Sequence, residues 1–144
     1  MPVIDLPDVN VWLALTDPDH AYHARAERYW ANEKAPQIAL FRITLLGMLR
    51  LLSNSKSMNG NPFTPERAWE ISQTYLGLPE VTLYPDPPEA DKHLAQWSKA
   101  RFFSPKLWTD AWIAALALEH GCRVVSFDAH FARFPRLDFL HLEP

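Results

Sequence analysis

An α/β fold, with a parallel sheet flanked by helices, is predicted for this chain on three observations. Short β-prone runs alternate with longer helical stretches throughout the chain, the pattern of strand–helix–strand units. The stretch Thr109 to His120 is apolar nearly all round and stops at Gly121, so it reads as a central helix rather than a peripheral one. Val124-Val125-Ser126-Phe127 follows as a β-prone strand and delivers Asp128 at its C-terminal end. That is the edge at which open α/β sheets gather their ligands.

Taken in order, Val3 to Leu6 is the first strand, apolar apart from Asp5, and Pro7 should end it or mark a bulge. Asp8-Val9-Asn10-Val11-Trp12-Leu13-Ala14-Leu15 follows as helical turns that Asp8 or Asn10 can cap. Asp17-Pro18 has the cap-plus-proline form of a helix start and opens a helix to about Asn32. Gln37 to Leu40 is a second strand. Arg42 to Leu52, interrupted only by Thr44, Gly47 and Arg50, is a buried helix. The polar stretch Ser53 to Pro62 contains Asn59-Gly60-Asn61-Pro62 and is a loop. Thr64-Pro65-Glu66 starts a helix that Gly77 closes, and Val81 to Tyr84 is the next strand. Asp86-Pro87-Pro88 opens a helix reaching about Phe102, Ser104-Pro105 caps the central helix, and Phe139 to Leu142 supplies the last strand.

A length of 144 residues fits one domain, spanning residues 1–144, with a real core. The single cysteine, Cys122, excludes an internal disulfide and a multi-cysteine zinc site, and fits a reducing cytosol. A net charge of −3 gives no global basic field for nucleic acid, yet leaves room for a local basic rim around an acidic centre. No apolar run approaches membrane-spanning length and the N-terminus lacks a signal-peptide pattern, so a cytoplasmic location without membrane contact is expected.

Asp8 stands between the first strand and the first helix, Asp110 is the one charge in the first half of the central helix, and Asp128 ends a strand. A carboxylate on a buried helix is costly unless it is paired, hydrogen-bonded or bound to a cation. Any one of the three alone is more simply a cap or a solvated turn. Together they point to a hard-cation site for Mg²⁺ or Mn²⁺, which prefer oxygen ligands. Such an ion activates water and stabilises charge on a phosphoryl group. Asn10 is placed to orient Asp8 or Asp110, and Ser126 shares a strand face with Asp128. His20 and His23 share a helix face, but no third spaced ligand makes them a zinc site. Cys122 lacks a histidine base and reads as core. The tryptophans, among them Trp30, Trp69, Trp108 and Trp112, read as core or dimer surface. Arg42, Arg50, Lys56, Arg101, Lys106 and Arg133 read as exposed charges, and any near the acidic pocket would steer an RNA backbone.

Over nearly the whole chain these motifs resemble the PIN-domain ribonucleases, specifically VapC-type toxins of bacterial toxin–antitoxin pairs. Asp8-Val9-Asn10 resembles the family's opening Asp-x-Asn motif, and Asp110-Ala111-Trp112-Ile113-Ala114-Ala115 its central aspartate helix. Ser126-Phe127-Asp128-Ala129-His130-Phe131 resembles its late (Thr/Ser)-x-Asp-x-x-Phe motif. The resemblance implies a three-layer α/β/α fold with a central, mostly parallel sheet. It implies that Asp8, Asp110 and Asp128 bind Mg²⁺ or Mn²⁺ and position a water for attack on an RNA phosphodiester, with Asn10, Ser126 and Thr44 in support. It also implies a homodimer and a small antitoxin protein that blocks the acidic pocket.

One departure stands out. Many PIN domains carry a glutamate early in the third helix, in a Thr-x-x-Glu-Leu arrangement. Here the stretch is Thr44-Leu45-Leu46-Gly47-Met48-Leu49-Arg50, with Gly47 at the acidic position. A branch of the toxins has a similar Leu-Gly-x-Leu-Arg stretch. Gly47 leaves one carboxylate fewer and puts a second metal ion in question; Glu27, Asp5 or Glu119 would substitute only if the fold brought them close. The expected function is a metal-dependent endoribonuclease toxin. The alternative, motivated by Gly47, is a catalytically weak PIN-like module that binds RNA or a protein partner.

Overall fold

In the computed structural model, which describes residues 2–144, the first strand β1 (Ile4–Pro7) lies at the centre of a five-stranded sheet. The others are β2 (Gln37–Leu40), β3 (Val81–Leu83), β4 (Arg123–Ser126) and β5 (Phe139–His141). Their order is β3-β2-β1-β4-β5 and every neighbouring pair is parallel. Parallel neighbours need crossover connections. Helices α1 (Val9–Thr16) and α2 (His23–Asn32) link β1 to β2; α3 (Arg42–Leu52) and α4 (Pro65–Leu76) link β2 to β3. Helices α5 (Asp91–Trp97) and α6 (Trp108–His120) link β3 to β4, and a 3₁₀ turn, Ala129–Arg133, leads into β5.

Side chains alternate across the sheet, as the two-residue strand period requires. On one face Leu6, Ala39 and Val124 pack with Ala111, Ala114 and Leu116 of α6 and with Trp97 and Phe131. On the other, Ile38, Leu40 and Val81 pack with Trp12, Leu45, Met48, Leu52 and Ile71 of α1, α3 and α4. The result is the three-layer α/β/α arrangement expected. Alanine-rich α6 has buried residues around most of its girth, which accounts for its missing polar face.

Three boundaries differ from expectation. β1 runs Ile4–Pro7 rather than Val3 to Leu6, so it ends on Pro7 itself, opposite Val125, and the Asp8 N–H beyond it donates to the Val125 carbonyl at 2.8 Å. Asp17-Pro18 does not open a helix. The Asp17 N–H still bonds the Leu13 carbonyl of α1, its carboxylate accepts from Asp19 N–H at 2.9 Å, and α2 begins only at His23. An aspartate serves a turn as well as a cap. The helix predicted to reach Phe102 is a 3₁₀ turn, Pro88–Ala90, followed by α5, which stops at Trp97; Phe102 then packs against Phe134 and Phe103 against Trp108.

At the start of β1, Asp5 is fully buried. Arg123 opposite donates from Nε (2.8 Å) and Nη2 (3.0 Å), Tyr29 from its hydroxyl (2.6 Å), and the Ala35 N–H at 2.9 Å. Arg123 also reaches the Glu33 carbonyl at 3.0 Å. A buried ion pair tolerates loss of neither partner. Asp5→Ala is therefore expected to lower unfolding free energy by about 3–5 kcal/mol, and Tyr29→Phe by about 1–3 kcal/mol, as read by denaturant melts.

Candidate metal centre

Strands β1 and β4 are neighbours although their partners, such as Asp5 and Arg123, are 118 residues apart, and the chain leaves them towards opposite edges of the sheet. This is the topological switch point, where a crevice opens beyond the strand ends. Asp8 follows β1 and Asp128 follows β4. Asp110, in the first turn of α6, is the third carboxylate there. Each sits at a helical N-terminus: Asp8 caps α1, and Asp128 caps the 3₁₀ turn through the His130 N–H at 2.9 Å. Exposed N–H groups at such ends favour negative charge.

The buried Ser126 hydroxyl connects the parts. It donates to Asp8 Oδ2 at 2.8 Å and accepts from the Asp128 N–H at 2.9 Å and from Asn10 Nδ2 at 3.1 Å. The other oxygen of Asp8 accepts from the Val9 N–H at 2.8 Å. Asn10 thus reaches Asp8 through Ser126 rather than directly.

Burial, and less strongly the charge of Asp128, raises the pKa of Asp8 against the pull of its hydrogen bonds. Asp110 is pushed up to about 6, first by burial, then by the charges of Asp8 and Asp128, with His130 partly offsetting them. Among the described residues no lysine or arginine pairs with any of the three. Crowded carboxylates without a side-chain cation suit a divalent ion, and the donor set fits: Asp110, Asp128 and His130 offer one ligand atom each, all within 4.8 Å of one another. Asp8 stands alongside with both oxygens hydrogen-bonded. His130 was not singled out by sequence reasoning; its only signal is its position two residues past Asp128, where Nδ1 lies 3.2 Å from the Asp128 carboxylate.

Other candidates lie elsewhere. The Thr44 hydroxyl is buried at the start of α3, accepting from the Phe41 N–H and donating to the Phe41 carbonyl, both at 3.1 Å. His23 Nδ1 sits 2.6 Å from the Ala14 carbonyl and its Nε2 3.2 Å from Glu27, while His20 accepts from the Tyr22 N–H. Glu119 holds His93 at 2.7 Å, and Asp5 is committed to Arg123. None of Glu27, Asp5 and Glu119 is therefore a fourth carboxylate of the centre. Cys122 is buried, which pushes its thiol up to about 12. Gly47 faces Val9 so closely that a Cβ there would lie 2.6 Å from Val9 Cγ2.

The sequence model of the PIN domain family matches residues 6–137. Among curated relatives, Ribonuclease VapC41 of Mycobacterium tuberculosis is 34% identical over 137 residues, covering 90% of this chain and 92% of its own. Ribonuclease VapC39 of the same organism is 33% identical over 130 residues, with 88% and 90% covered. Among solved structures, M. tuberculosis VapC20, described as a Sarcin-Ricin loop cleaving toxin, matches with a TM-score of 0.72 at 21% identity, covering 98% and 99% of the two chains. A chain of DNA-bound VapBC from Salmonella typhimurium matches with a TM-score of 0.65 at 18% identity, covering 99% and 100%.

Two outcomes follow from this geometry. A raised folded-state pKa means that Asp110 binds its proton more tightly in the folded chain, so its stabilising contribution is full below about pH 4 and is lost as pH rises through about 6. Thermal melts of metal-free protein should therefore show Asp110→Asn gaining on the parent between about pH 4 and 6 and melting a few degrees higher at pH 8. Gly47→Ala should cost about 1–3 kcal/mol by overpacking, and the double variant with Val9→Ala should recover part of it in the same melts.

Proposed function

The chain belongs to the PIN-domain family of VapC-type ribonucleases, and on that premise we propose that it is a metal-dependent endoribonuclease, the toxin of a toxin–antitoxin pair. The observation that carries the proposal is the convergence of Asp8, Asp110 and Asp128 at the sheet's switch point, beside one another and, among the described residues, without a lysine or arginine partner.

Asp110 and Asp128, with His130 beside them and Asp8 across the crevice, are the residues that would hold Mg²⁺ or Mn²⁺. A bound divalent ion would activate water and offset charge on the phosphoryl oxygens. Ser126 fixes the direction of Asp8 and, through the Asp128 backbone, the start of the turn that carries His130. Asn10 fixes Ser126 in turn. The N-termini of α1 and α6 add partial positive charge where an anionic backbone would approach. Hydrolysis adds water across one P–O bond and leaves a phosphomonoester and a hydroxyl.

The same proposal makes the chain a cytoplasmic homodimer held in check by a small antitoxin. Trp69 and Trp108, each about half exposed, supply apolar surface for such contacts. Among the described residues no helix is long and apolar enough to cross a membrane.

Purified chain should cut RNA into discrete fragments with Mg²⁺ or Mn²⁺ and leave it intact with a chelator. Ser126→Ala should lower metal affinity or rate by about 10–100-fold, and Asp128→Asn by more. Because protonation of Asp110 competes with the cation, cleavage and metal affinity should both fall as pH drops through about 6. Unchanged cleavage by Asp110→Asn would overturn the chemistry. RNA binding without cleavage at saturating Mn²⁺ would favour the binding-module reading that Gly47 motivates.

A further inference from the structure

Next to Asp8 the surface opens into a slot of about 390 Å³, lined among others by Val9, Gly47, Leu46, Arg50 and Thr109. Its lining is mostly apolar, yet it begins at a carboxylate of the acidic centre. Leu46 is 55% exposed, unusual for a leucine on a helix whose other apolar residues are largely packed. Arg50, one turn further along α3, is exposed, and among the described residues its guanidinium makes neither an ion pair nor a hydrogen bond. Gly47 brings α3 close against Val9, and any side chain there would meet Val9 first.

We propose that this slot is a nucleotide subsite: an unpaired base flanking the cut lies against Leu46 and Val9, and Arg50 takes the neighbouring phosphate. The inference rests on the nuclease reading and adds the place where the RNA is held. Three features choose this occupant. The slot is continuous with Asp8, so a base one nucleotide from the reacting phosphate is within reach of it. Its apolar lining accepts the face of a base but offers little to a charged peptide. A free arginine is the side chain suited to a phosphate oxygen pair, and it supplies the positive charge that a net −3 chain lacks overall. A base in the slot must be out of its stack, so loops and single strands are the class of RNA that fits.

The test compares the parent with Arg50→Met, Arg50→Lys and Leu46→Asn, all at exposed positions, with melts and Mn²⁺ titration to confirm that each variant is folded and loaded. A pool of random single-stranded RNA is cut with Mn²⁺ and end-mapped, and affinity for the same pool is measured with chelator at several salt concentrations. Arg50→Met should raise KM about tenfold with the loss falling on KM rather than kcat, and should flatten the salt slope by about 0.7. Arg50→Lys should restore part of both. Leu46→Asn should weaken the nucleotide preference at one position beside the cut. If the parent cleaves and the variants match it in KM, salt slope and cut-site preference, the subsite is wrong and the slot is left to a protein partner. If the parent binds RNA but does not cut it, the affinity and salt arms decide the subsite alone. A parent that neither binds nor cuts RNA overturns both readings together.

Discussion

Everything in this structure is arranged around a repulsion. Three carboxylates are held at one edge of the sheet, two with pKa values raised by burial and by each other. Left alone, such a cluster would push its supporting elements apart. The fold resists in two ways. Each carboxylate is set at a helical N-terminus, where unpaired N–H groups and the helix dipole favour negative charge. Beneath them, the pairing of β1 with β4 and the layer of α6 against the sheet are apolar and closely packed, so the edge cannot relax without opening the core.

The other end of the same strand pair makes the contrast. Asp5 is as buried as any residue in the chain, yet it accepts four hydrogen bonds, two of them from Arg123. There a carboxylate is fully answered and the crevice is closed. Three residues further on, among the described residues, Asp8 is answered only by a hydroxyl and a backbone N–H. The same residue type on the same strand and its continuation serves structure at one end and, in the proposed reading, chemistry at the other. What separates the two is the presence of a cationic partner, because an unpartnered carboxylate in low dielectric retains its demand for positive charge.

The sequence made the strands and the order of helices legible because those signals are local: β-branched runs, proline starts and glycine stops. The three aspartates were legible because each stood where a strand ended or a buried helix began. What was not legible depends on contacts between distant segments. Asp17-Pro18 reads equally well as a helix start and as a turn, and only the bond from Asp17 to Leu13 decides. The short α5 follows from Phe102 packing on Phe134. Ser126 and Asn10 were placed near the aspartates, but the order of their hydrogen bonds, with Ser126 as the shared group, is a tertiary fact. His130 carries no signal beyond its place two residues past Asp128, and the turn of the Thr44 hydroxyl towards Phe41 is a capping choice that a threonine in any helix start can make.

Gly47 ties the packing to the character of the proposed cation site. A Cβ at that position would meet a β-branched side chain, and Val9 is stiff because two carbons on its Cβ restrict its rotation. With the approach of α3 to α1 as it stands, a glutamate would have to displace Val9, which is next to Asp8 and donates a hydrogen bond to it. The carboxylates of the centre are therefore limited to three, since Asp5, Glu27 and Glu119 are engaged elsewhere. Three carboxylates carry at most three negative charges, which two divalent ions would more than balance and one would leave slightly negative. In the proposed reading, a site holding one such ion beside an exposed Arg50, unpaired among the described residues, would divide the work of neutralising a polyanion between the cation and a side chain lining the slot. On that division the glycine is the feature that lets α3, and Arg50 with it, come close against Val9 beside Asp8.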